Sequence, residues 1–282
     1  MKKITRRSFM AAAGLTVAAL ALTACGGSSS TASSAVASSV ASSAAASSEA
    51  ASAAATELTT VEAGKLTMAT NAAFPPYEMT TDAGEFEGID IETAQAIADK
   101  LGLELQIDDM DFDAALLSVQ QGKADIVMAG VTVTDERKAV MDFSDSYATG
   151  IQSIIVPEGS DIASPDDLAG KKIGTQRGTT GYIYCSDDFG DDAVVAYDDG
   201  LTAVQALKNG QVDAVVIDNA PAKEFVAANP GLVILDTSYA EEDYAIGLAK
   251  GSSLEDAINS ALEELKADGT LQSIVDKYIT AE

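Results

Sequence analysis

Arg137 is the residue whose setting in the sequence points most directly to binding chemistry. It follows an apolar run that begins at Ala124, and its planar fork of donors matches a carboxylate bidentately. In the same stretch, Gly130 lets a ligand approach the backbone, and Thr132 contributes a hydroxyl. Because ligands of open α/β sheets bind beyond the carboxyl ends of the strands, this stretch predicts a carboxylate receptor. The alternative is that Arg137 only pairs with neighbouring acids at a solvated helix start.

The same pattern occurs a second time in the chain. Residues 121–130 align with residues 209–218, and in this alignment Gly130 corresponds to Asp218. The repeat predicts two similar α/β lobes, each of which presents the ends of its strands. If the lobes face each other, Arg137 and Asp218 offer opposite charges to one ligand. That arrangement fits a zwitterionic amino acid.

The overall charge excludes one class of partner and makes the arginines more informative. Setting aside the four basic residues of segment 1–25 leaves 13 of the 17 basic residues against 44 acidic ones, a net charge of −31. Nucleic acid is excluded as a partner, because counterion release needs a basic surface. The two remaining arginines, Arg137 and Arg177, both follow predicted strands, and a surface role would have been met by lysine.

Residues 1–25 are predicted to be a targeting segment that is no part of the fold. Basic residues open it, and the apolar run that follows is shorter than the roughly 20 residues of a membrane span, which would be the alternative. The run ends at Cys25 in a sequence that resembles a bacterial lipobox. This resemblance implies cleavage before Cys25 and lipidation of that residue. Segment 5–10 also resembles a twin-arginine export motif, so both export routes stay open.

Residues 26–60 are almost wholly serine and alanine, with no period that could bury a face. They are predicted to be a flexible tether that reaches on the order of 30 Å. The globular part is divided into a first lobe, 61–150 plus 244–282, and a second lobe, 151–243. Besides Cys25 the chain contains only Cys185, so a mature chain has no internal disulfide.

The order of strand and helix patterns predicts an α/β fold in which each lobe is a mostly parallel sheet flanked by helices. Two extended crossings, at 151–156 and 244–248, are predicted to form a hinge, and 232–235 is predicted to be the last strand of the second lobe. Ser164 and Ser253 are each predicted to begin a helix. Between a strand and a helix, the Gly-Thr-rich loop 177–181 offers free backbone N–H groups that suit an anion.

Six motifs in combination resemble the extracytoplasmic amino-acid-binding proteins of ABC importers: 71–78, 86–91, 129–137, 142–144, 177–181 and 268–270. The resemblance implies a two-lobed, periplasmic-binding-protein-like fold of type II. It also implies a solute-binding lipoprotein on the outer face of the cytoplasmic membrane, held there by a lipid on Cys25. The expected partners are an amino acid and an ABC permease, and the protein is expected to be a monomer without a cofactor or metal.

The resemblance also implies roles for individual residues. Arg137 and the N–H groups of Thr132 and Thr180 would hold the carboxylate of the ligand. The Gly130 carbonyl, the Thr132 hydroxyl and Asp218 would take its ammonium group, and two phenylalanines would enclose its side chain. The complete predicted site comprises Asn71, Phe74, Tyr77, Phe112, Ala129, Gly130, Thr132, Arg137, Gln176, Arg177, Thr179, Thr180 and Asp218.

Two neutral amides, Asn71 and Gln176, lead us to expect a neutral polar amino acid such as glutamine, with arginine or lysine as the second candidate. Members of the family often have an acid at position 71, and glutamine binders have histidine where this chain has Ile217. The main alternative function is an enzyme on the same scaffold, similar to cyclohexadienyl dehydratase. Such a site would need a positioned acid or base, and the chain contains no histidine for that task.

Overall fold

Two main sheets, each with helices packed against it, dominate residues 58–279, the part of the chain that the computed structural model describes. The predicted targeting segment 1–25 with Cys25 and most of the predicted tether, 26–57, lie outside these residues, as do 280–282. None of the helices between residues 58 and 279 combines the length and apolar character needed to cross a membrane.

The first sheet has the strand order β5-β1-β6-β14-β7, and a small sheet β2-β3-β4 accompanies it. The elements up to the first crossing are β1 (Lys65–Thr70), β2 (Ala73–Phe74), β3 (Glu78–Thr80), β4 (Phe86–Glu87), α1 (Ile89–Leu101), β5 (Glu104–Asp109), α2 (Phe112–Gln120), β6 (Ile126–Val127), α3 (Asp135–Lys138) and β7 (Met141–Phe143). After the second crossing the chain adds β14 (Gly247–Ala249), α7 (Glu255–Ala267) and α8 (Thr270–Tyr278).

The second sheet has the order β10-β9-β11-β8-β12, and a further strand, β13, also pairs with β8. Its elements are β8 (Ala148–Pro157), β9 (Ile173–Gln176), α4 (Thr180–Phe189), β10 (Val194–Tyr197), α5 (Gly200–Lys208), β11 (Ala214–Asp218), α6 (Asn219–Ala228), β12 (Leu232–Ile234) and β13 (Ala240–Tyr244). Two short 3-10 helices, Pro165–Leu168 and Asp191–Ala193, lie between them.

The strand directions explain why the sequence alternates between strand and helix patterns. In the first sheet β1 pairs in parallel with β5 and β6, whereas β14 is antiparallel to both β6 and β7. In the second sheet β9 pairs in parallel with β10 and β11, whereas β8 is antiparallel to β11, β12 and β13. In each sheet one strand therefore runs against the others. The predicted α/β fold of two lobes with mostly parallel sheets is confirmed.

Burial on both faces accounts for the continuous apolar runs of the central strands. In β1, Leu66, Met68 and Ala69 are completely buried, and all five residues of β11 are buried. Strands in that position need helices on both sides of the sheet. Helix α1 supplies one such cover through Ala94 and Ile97, and it ends at Gly102 in the left-handed conformation that favours glycine.

Three local predictions need correction. The predicted strand 232–235 is not the last strand of the second lobe, because β13 follows and pairs with β8. The sequence of β13 contains three acidic residues and lacks an apolar pattern, so it did not indicate a strand. Ser253 does not cap α7, whose N-cap is Leu254. Ser164 does form a capping box with Asp167, but the element it begins is a 3-10 helix.

Candidate functional site

A narrow cavity of about 10 Å³, the room that one water molecule needs, lies between the two sheets, and several of the residues that line it directly follow the strands. It is lined by Asn71 after β1, Ala129 and Gly130 after β6, Gln176 at the end of β9, Asp218 at the end of β11, and Phe74, Glu78, Phe112, Thr132, Arg137, Thr179 and Thr180. Every residue of the predicted site except Tyr77 and Arg177 is in this lining. Glu78 is present in addition.

Arg137 lies on α3, a single helical turn whose N-cap residue Thr134 accepts a hydrogen bond from the Arg137 N–H at 3.2 Å. The guanidinium points inward, where Nη1 donates to the Thr132 carbonyl at 2.7 Å and Nη2 donates to the Gly178 carbonyl at 3.1 Å. Its Cζ lies 5.4 Å from the centre of the Phe112 ring. Burial lowers the pKa of Arg137 from its usual value, but arginine remains a cation at neutral pH. The alternative of a solvated surface pair does not describe this side chain, which is only 8% exposed.

Asp218 contributes a buried carboxylate from the second lobe. Its Oδ2 accepts a hydrogen bond from Gln152 Nε2 at 2.7 Å, and its Oδ1 accepts one from the Tyr244 hydroxyl. Burial above all, together with the nearby Glu242, raises the pKa of Asp218 to about 7, and the hydrogen bonds from Tyr244 and Gln152 oppose this rise. The free site is therefore poised to gain a positive group, which would remove the cost of the buried charge.

Glu242 and Gln152 belong to this network and were missed from the sequence. Glu242 Oε2 accepts hydrogen bonds from Thr132 Oγ1 at 3.2 Å, Thr180 Oγ1 at 3.0 Å and Gln152 Nε2 at 3.0 Å. Glu242 lies in the acidic run 241–243, for which no element was predicted from the sequence. In the structure the residues of β13 alternate in burial, which places Glu242 on the same buried face as Tyr244, but its sequence shows no such alternation.

A second pair of buried acids supports the floor of the cavity. Glu78 is fully buried, and neither of its carboxyl oxygens has a hydrogen-bond partner among the residues that the structure describes. Burial raises the pKa of Glu78 well above its usual value and that of Asp90 to about 6. Asp90 Oδ2 accepts hydrogen bonds from the Gly130 N–H at 3.0 Å and from the Tyr147 hydroxyl at 2.8 Å. A proton on Glu78 avoids a second buried negative charge near Asp90, whose carboxylate holds Gly130 in place.

Gly130 is required at its position for a steric reason. Its φ is +54°, and a Cβ built there would lie 2.9 Å from Cε1 of Phe74 and 3.3 Å from Cε2 of Tyr244. Any larger residue would displace an aromatic ring beside the cavity. The close approach of backbone and ligand predicted for this position is sterically possible only with glycine.

The other end of the cavity is neutral. Gln176 Nε2 donates to Asn71 Oδ1 at 2.8 Å and to the Asp198 carbonyl at 3.2 Å, while Asn71 Nδ2 donates to the Met110 carbonyl at 2.9 Å. The first of these bonds joins the two lobes, as does the bond from Arg137 to Gly178. The structure therefore shows the lobes in contact across the cleft.

Two predicted site residues lie outside the cavity. Tyr77 stacks on Phe74 with ring centres 6.0 Å apart, meets Tyr244 edge-on at 5.3 Å and lines a neighbouring cavity behind them. Arg177 has an exposed side chain whose Nη2 lies 3.6 Å from Asp198 Oδ1. The backbone N–H of Arg177 pairs with the Tyr197 carbonyl, and the chain turns at Gly178, so its side chain points away from the ligand side.

In the described part of the chain, the remaining chemically active groups form no second centre. Cys185 is completely buried, and burial raises the pKa of its thiol to about 12, which makes it an inert core residue. Between residues 58 and 279 no group of three or more histidine, cysteine or acidic side chains is arranged to hold a metal ion. Binding through charge and hydrogen bonds is the chemistry that this arrangement supports.

Similarity to known proteins extends over both sheets. Residues 66–281 match the family described as bacterial extracellular solute-binding proteins, family 3. The L-cystine-binding protein TcyJ of Escherichia coli (strain K12) is 33% identical over 226 residues, which cover 78% of this chain and 85% of TcyJ. The arginine-binding extracellular protein ArtP of Bacillus subtilis (strain 168) is 33% identical over 230 residues, which cover 77% of this chain and 87% of ArtP.

A solved structure shows the same arrangement of lobes. It is an ancestral arginine-binding protein bound to glutamine, with a TM-score of 0.74 and 42% sequence identity. The match covers 78% of this chain and 100% of that protein. All residues that line the cavity fall within residues 66–281.

Proposed function

The chain belongs to the bacterial extracellular solute-binding proteins, family 3, and is an extracytoplasmic amino-acid-binding protein of an ABC importer; from this premise we propose that its lobes part to admit one amino acid, which then binds to the residues that line the cavity between them. The ligand carboxylate would lie on Arg137 and the N–H groups of Thr132 and Thr180. Its ammonium group would lie on Asp218, the Gly130 carbonyl and the Thr132 hydroxyl.

The observation that carries this proposal is the presence of opposite charges from different lobes in one buried cavity. Arg137 follows β6 of the first sheet, whereas Asp218 ends β11 of the second. Both side chains are 8% exposed, so each charge is largely without water. A zwitterion would neutralise both at once, which is the condition for burying charge at low cost. Because the ligand would bridge the lobes, its binding would favour their contact.

For the ligand side chain we propose a neutral polar amino acid of the glutamine type, with arginine as the second candidate. Phe74 and Phe112 would enclose its aliphatic stem, and the amides of Asn71 and Gln176 would meet its polar end. These amides carry no charge, so a neutral side chain leaves no buried ion unpaired. The relatives support both candidates, since the structure of an ancestral arginine-binding protein was solved with glutamine bound.

The experiment is an isothermal titration of the protein with each of the twenty amino acids, cystine and ornithine, followed by competition between glutamine and arginine. We expect saturable binding of glutamine at one site per chain. If arginine or lysine outcompetes glutamine by tenfold, about 1.4 kcal/mol, the order of the two candidates is reversed.

A pair of arginine variants tests the carboxylate site. Arg137→Lys replaces the planar fork with a point charge and should lose most of the affinity, whereas Arg177→Lys alters an exposed residue outside the cavity and should not. Equal affinities for the two variants would refute the assignment of Arg137. We propose no catalytic role, and recovery of chemically altered ligand after prolonged incubation would contradict this.

We also propose that a lipid on Cys25 holds the protein at the outer face of the cytoplasmic membrane. The proposed division is signal segment 1–25, tether 26–60, first lobe 61–150 plus 244–282 and second lobe 151–243, in a monomer. Cys25→Ser should release the protein from membranes in cells and prevent incorporation of labelled fatty acid. A protein that begins near Thr60 should bind its amino acid unchanged, and loss of affinity would contradict a passive tether.

A further inference from the structure

Glu242 lies where the two lobes and the connection between them meet. It is 6% exposed, and it belongs to β13, the strand from which the chain returns to the first sheet. Its Oε2 gathers one donor from the first lobe, Thr132, and two from the second, Thr180 and Gln152. The side chain does not line the cavity, but both threonines do.

Each threonine hydroxyl can donate only one hydrogen bond, and Thr132 and Thr180 both donate theirs to Glu242. A hydroxyl has a single proton, and an ionised carboxylate only accepts. When Thr132 and Thr180 donate to Glu242, their oxygens retain lone pairs and no further proton. Towards the ligand, each hydroxyl can then act only as an acceptor.

Gln152 likewise donates to buried acids and so determines that acceptors remain for the ligand. Its Nε2 donates to Asp218 Oδ2 at 2.7 Å and to Glu242 Oε2 at 3.0 Å, so its two amide protons serve two carboxylates. This orients the amide and leaves both carboxylates as acceptors. The region around Thr132 and Asp218 therefore presents acceptors to a ligand and demands a group with several protons.

We propose that Glu242 is a positioning residue that makes the α-ammonium group the obligatory feature of the ligand, an inference that rests on the proposed amino-acid site. An ammonium group supplies three protons to these acceptors. The hydroxyl of a 2-hydroxy acid supplies one and leaves buried acceptors unpaired. A site built around such hydrogen bonds strongly rejects an analogue that cannot complete them.

The test compares affinities for an amino acid and for its 2-hydroxy analogue. Whichever of L-glutamine and L-arginine binds the wild-type protein more tightly is titrated beside the 2-hydroxy acid with the same side chain. The wild-type preference is expected to be at least about a hundredfold. In Glu242→Gln the new amide can donate to Thr132, which frees the threonine proton to point at the ligand, so the preference should fall about tenfold or more.

Matched variants separate this role from a structural one. Glu241→Gln removes the same charge from the neighbouring exposed residue of β13 and should keep the wild-type ratio. Glu242→Asp retains an acceptor and should preserve more of the ratio than Glu242→Gln. A merely structural role for Glu242 would weaken both ligands equally, and an unchanged ratio in Glu242→Gln would overturn the inference.

If Glu242→Gln fails to fold, Thr132→Val decides the question. An acceptor role for the Thr132 oxygen predicts a larger loss for the amino acid than for the hydroxy acid, and equal losses overturn the inference. Failure of the proposed function has a different signature, because the wild-type protein would then bind no amino acid at all.

Discussion

The two ends of the cavity are built on different principles. At the charged end, Arg137, Asp218 and Glu242 are buried. Hydrogen bonds from Arg137 to Gly178 and from Thr132 to Glu242 join the two lobes there. At the neutral end, Asn71 and Gln176 meet through one direct bond and otherwise contact backbone carbonyls. In the proposed binding mode, recognition of the amino acid backbone relies on a network, whereas recognition of the side chain relies on two exchangeable amides.

If the proposed binding mode is correct, this difference explains how a cystine-binding and an arginine-binding protein can belong to one family. A change at the charged end disturbs several partners and leaves a buried charge uncompensated, which is costly. A change at the neutral end exchanges one uncharged group for another. We therefore expect substitutions at the charged end to abolish binding and substitutions at the neutral end to redirect it.

The largest expected effect is at Asp218. Asp218→Ala should weaken amino acid binding by about 30-fold to several thousandfold, because removing one member of a buried charge pair typically costs roughly 2–5 kcal/mol. Asp198→Ala, which changes the exposed carboxylate beside Arg177, is the control and should bind as the wild type does. Isothermal titration measures both. Wild-type affinity in Asp218→Ala would show that substitutions at the charged end do not abolish binding.

The pH dependence should be of intermediate size and should arise at the charged end. The pKa of Asp218 in the free protein is raised to about 7, so below pH 7 its carboxyl holds a proton that the incoming ammonium group must displace. Affinity should therefore fall as the pH is lowered from 7 towards 5, by at most about tenfold per pH unit for one displaced proton. Titrations in two buffers of different ionisation enthalpy should detect the released proton. Affinity that stays constant or rises as the pH falls would contradict this.

The smallest expected effect is a change of preference at the neutral end. Asn71→Asp keeps an oxygen facing Gln176 and adds a negative charge, so arginine should gain on glutamine by about tenfold, or 1.4 kcal/mol. The ratio of the two dissociation constants, taken from competition titrations, is the measurement. Asn219→Asp, outside the cavity, is the control for the added charge. An unchanged ratio would show that position 71 does not read the ligand side chain.

The parts of the fold that local patterns encode could be predicted. Apolar runs marked β1, β6 and β11, because strands buried on both faces must be apolar. The repeat that relates Gly130 to Asp218 then placed two charged strand ends opposite each other. Arg137 was found because a single arginine after such a strand has few structural reasons to be there.

Glu242 and Gln152 could not be found in the same way, because their meeting depends on long-range pairing. Strand β13 pairs with β8 so that Glu242 lies opposite Gly150 and Ala240 opposite Gln152, far apart in the sequence. Neither residue follows the carboxyl end of a parallel strand, which is where ligand-binding residues are expected in an open α/β sheet. Arg177 was the reverse case, since its sequence position suggested the cavity and the local turn at Gly178 sends its side chain outward.

The hydrogen bond between Gln176 and Asn71 constrains how the ligand specificity of such a protein can change during evolution. The two amides come from different lobes, and the hydrogen bond between them is 2.8 Å long. A mutation that removes either amide therefore leaves the other buried without this hydrogen-bond partner. Lineages that switch amino acid should therefore tend to alter positions 71 and 176 in close succession. Laboratory libraries meant to redirect the protein would best randomise both codons together.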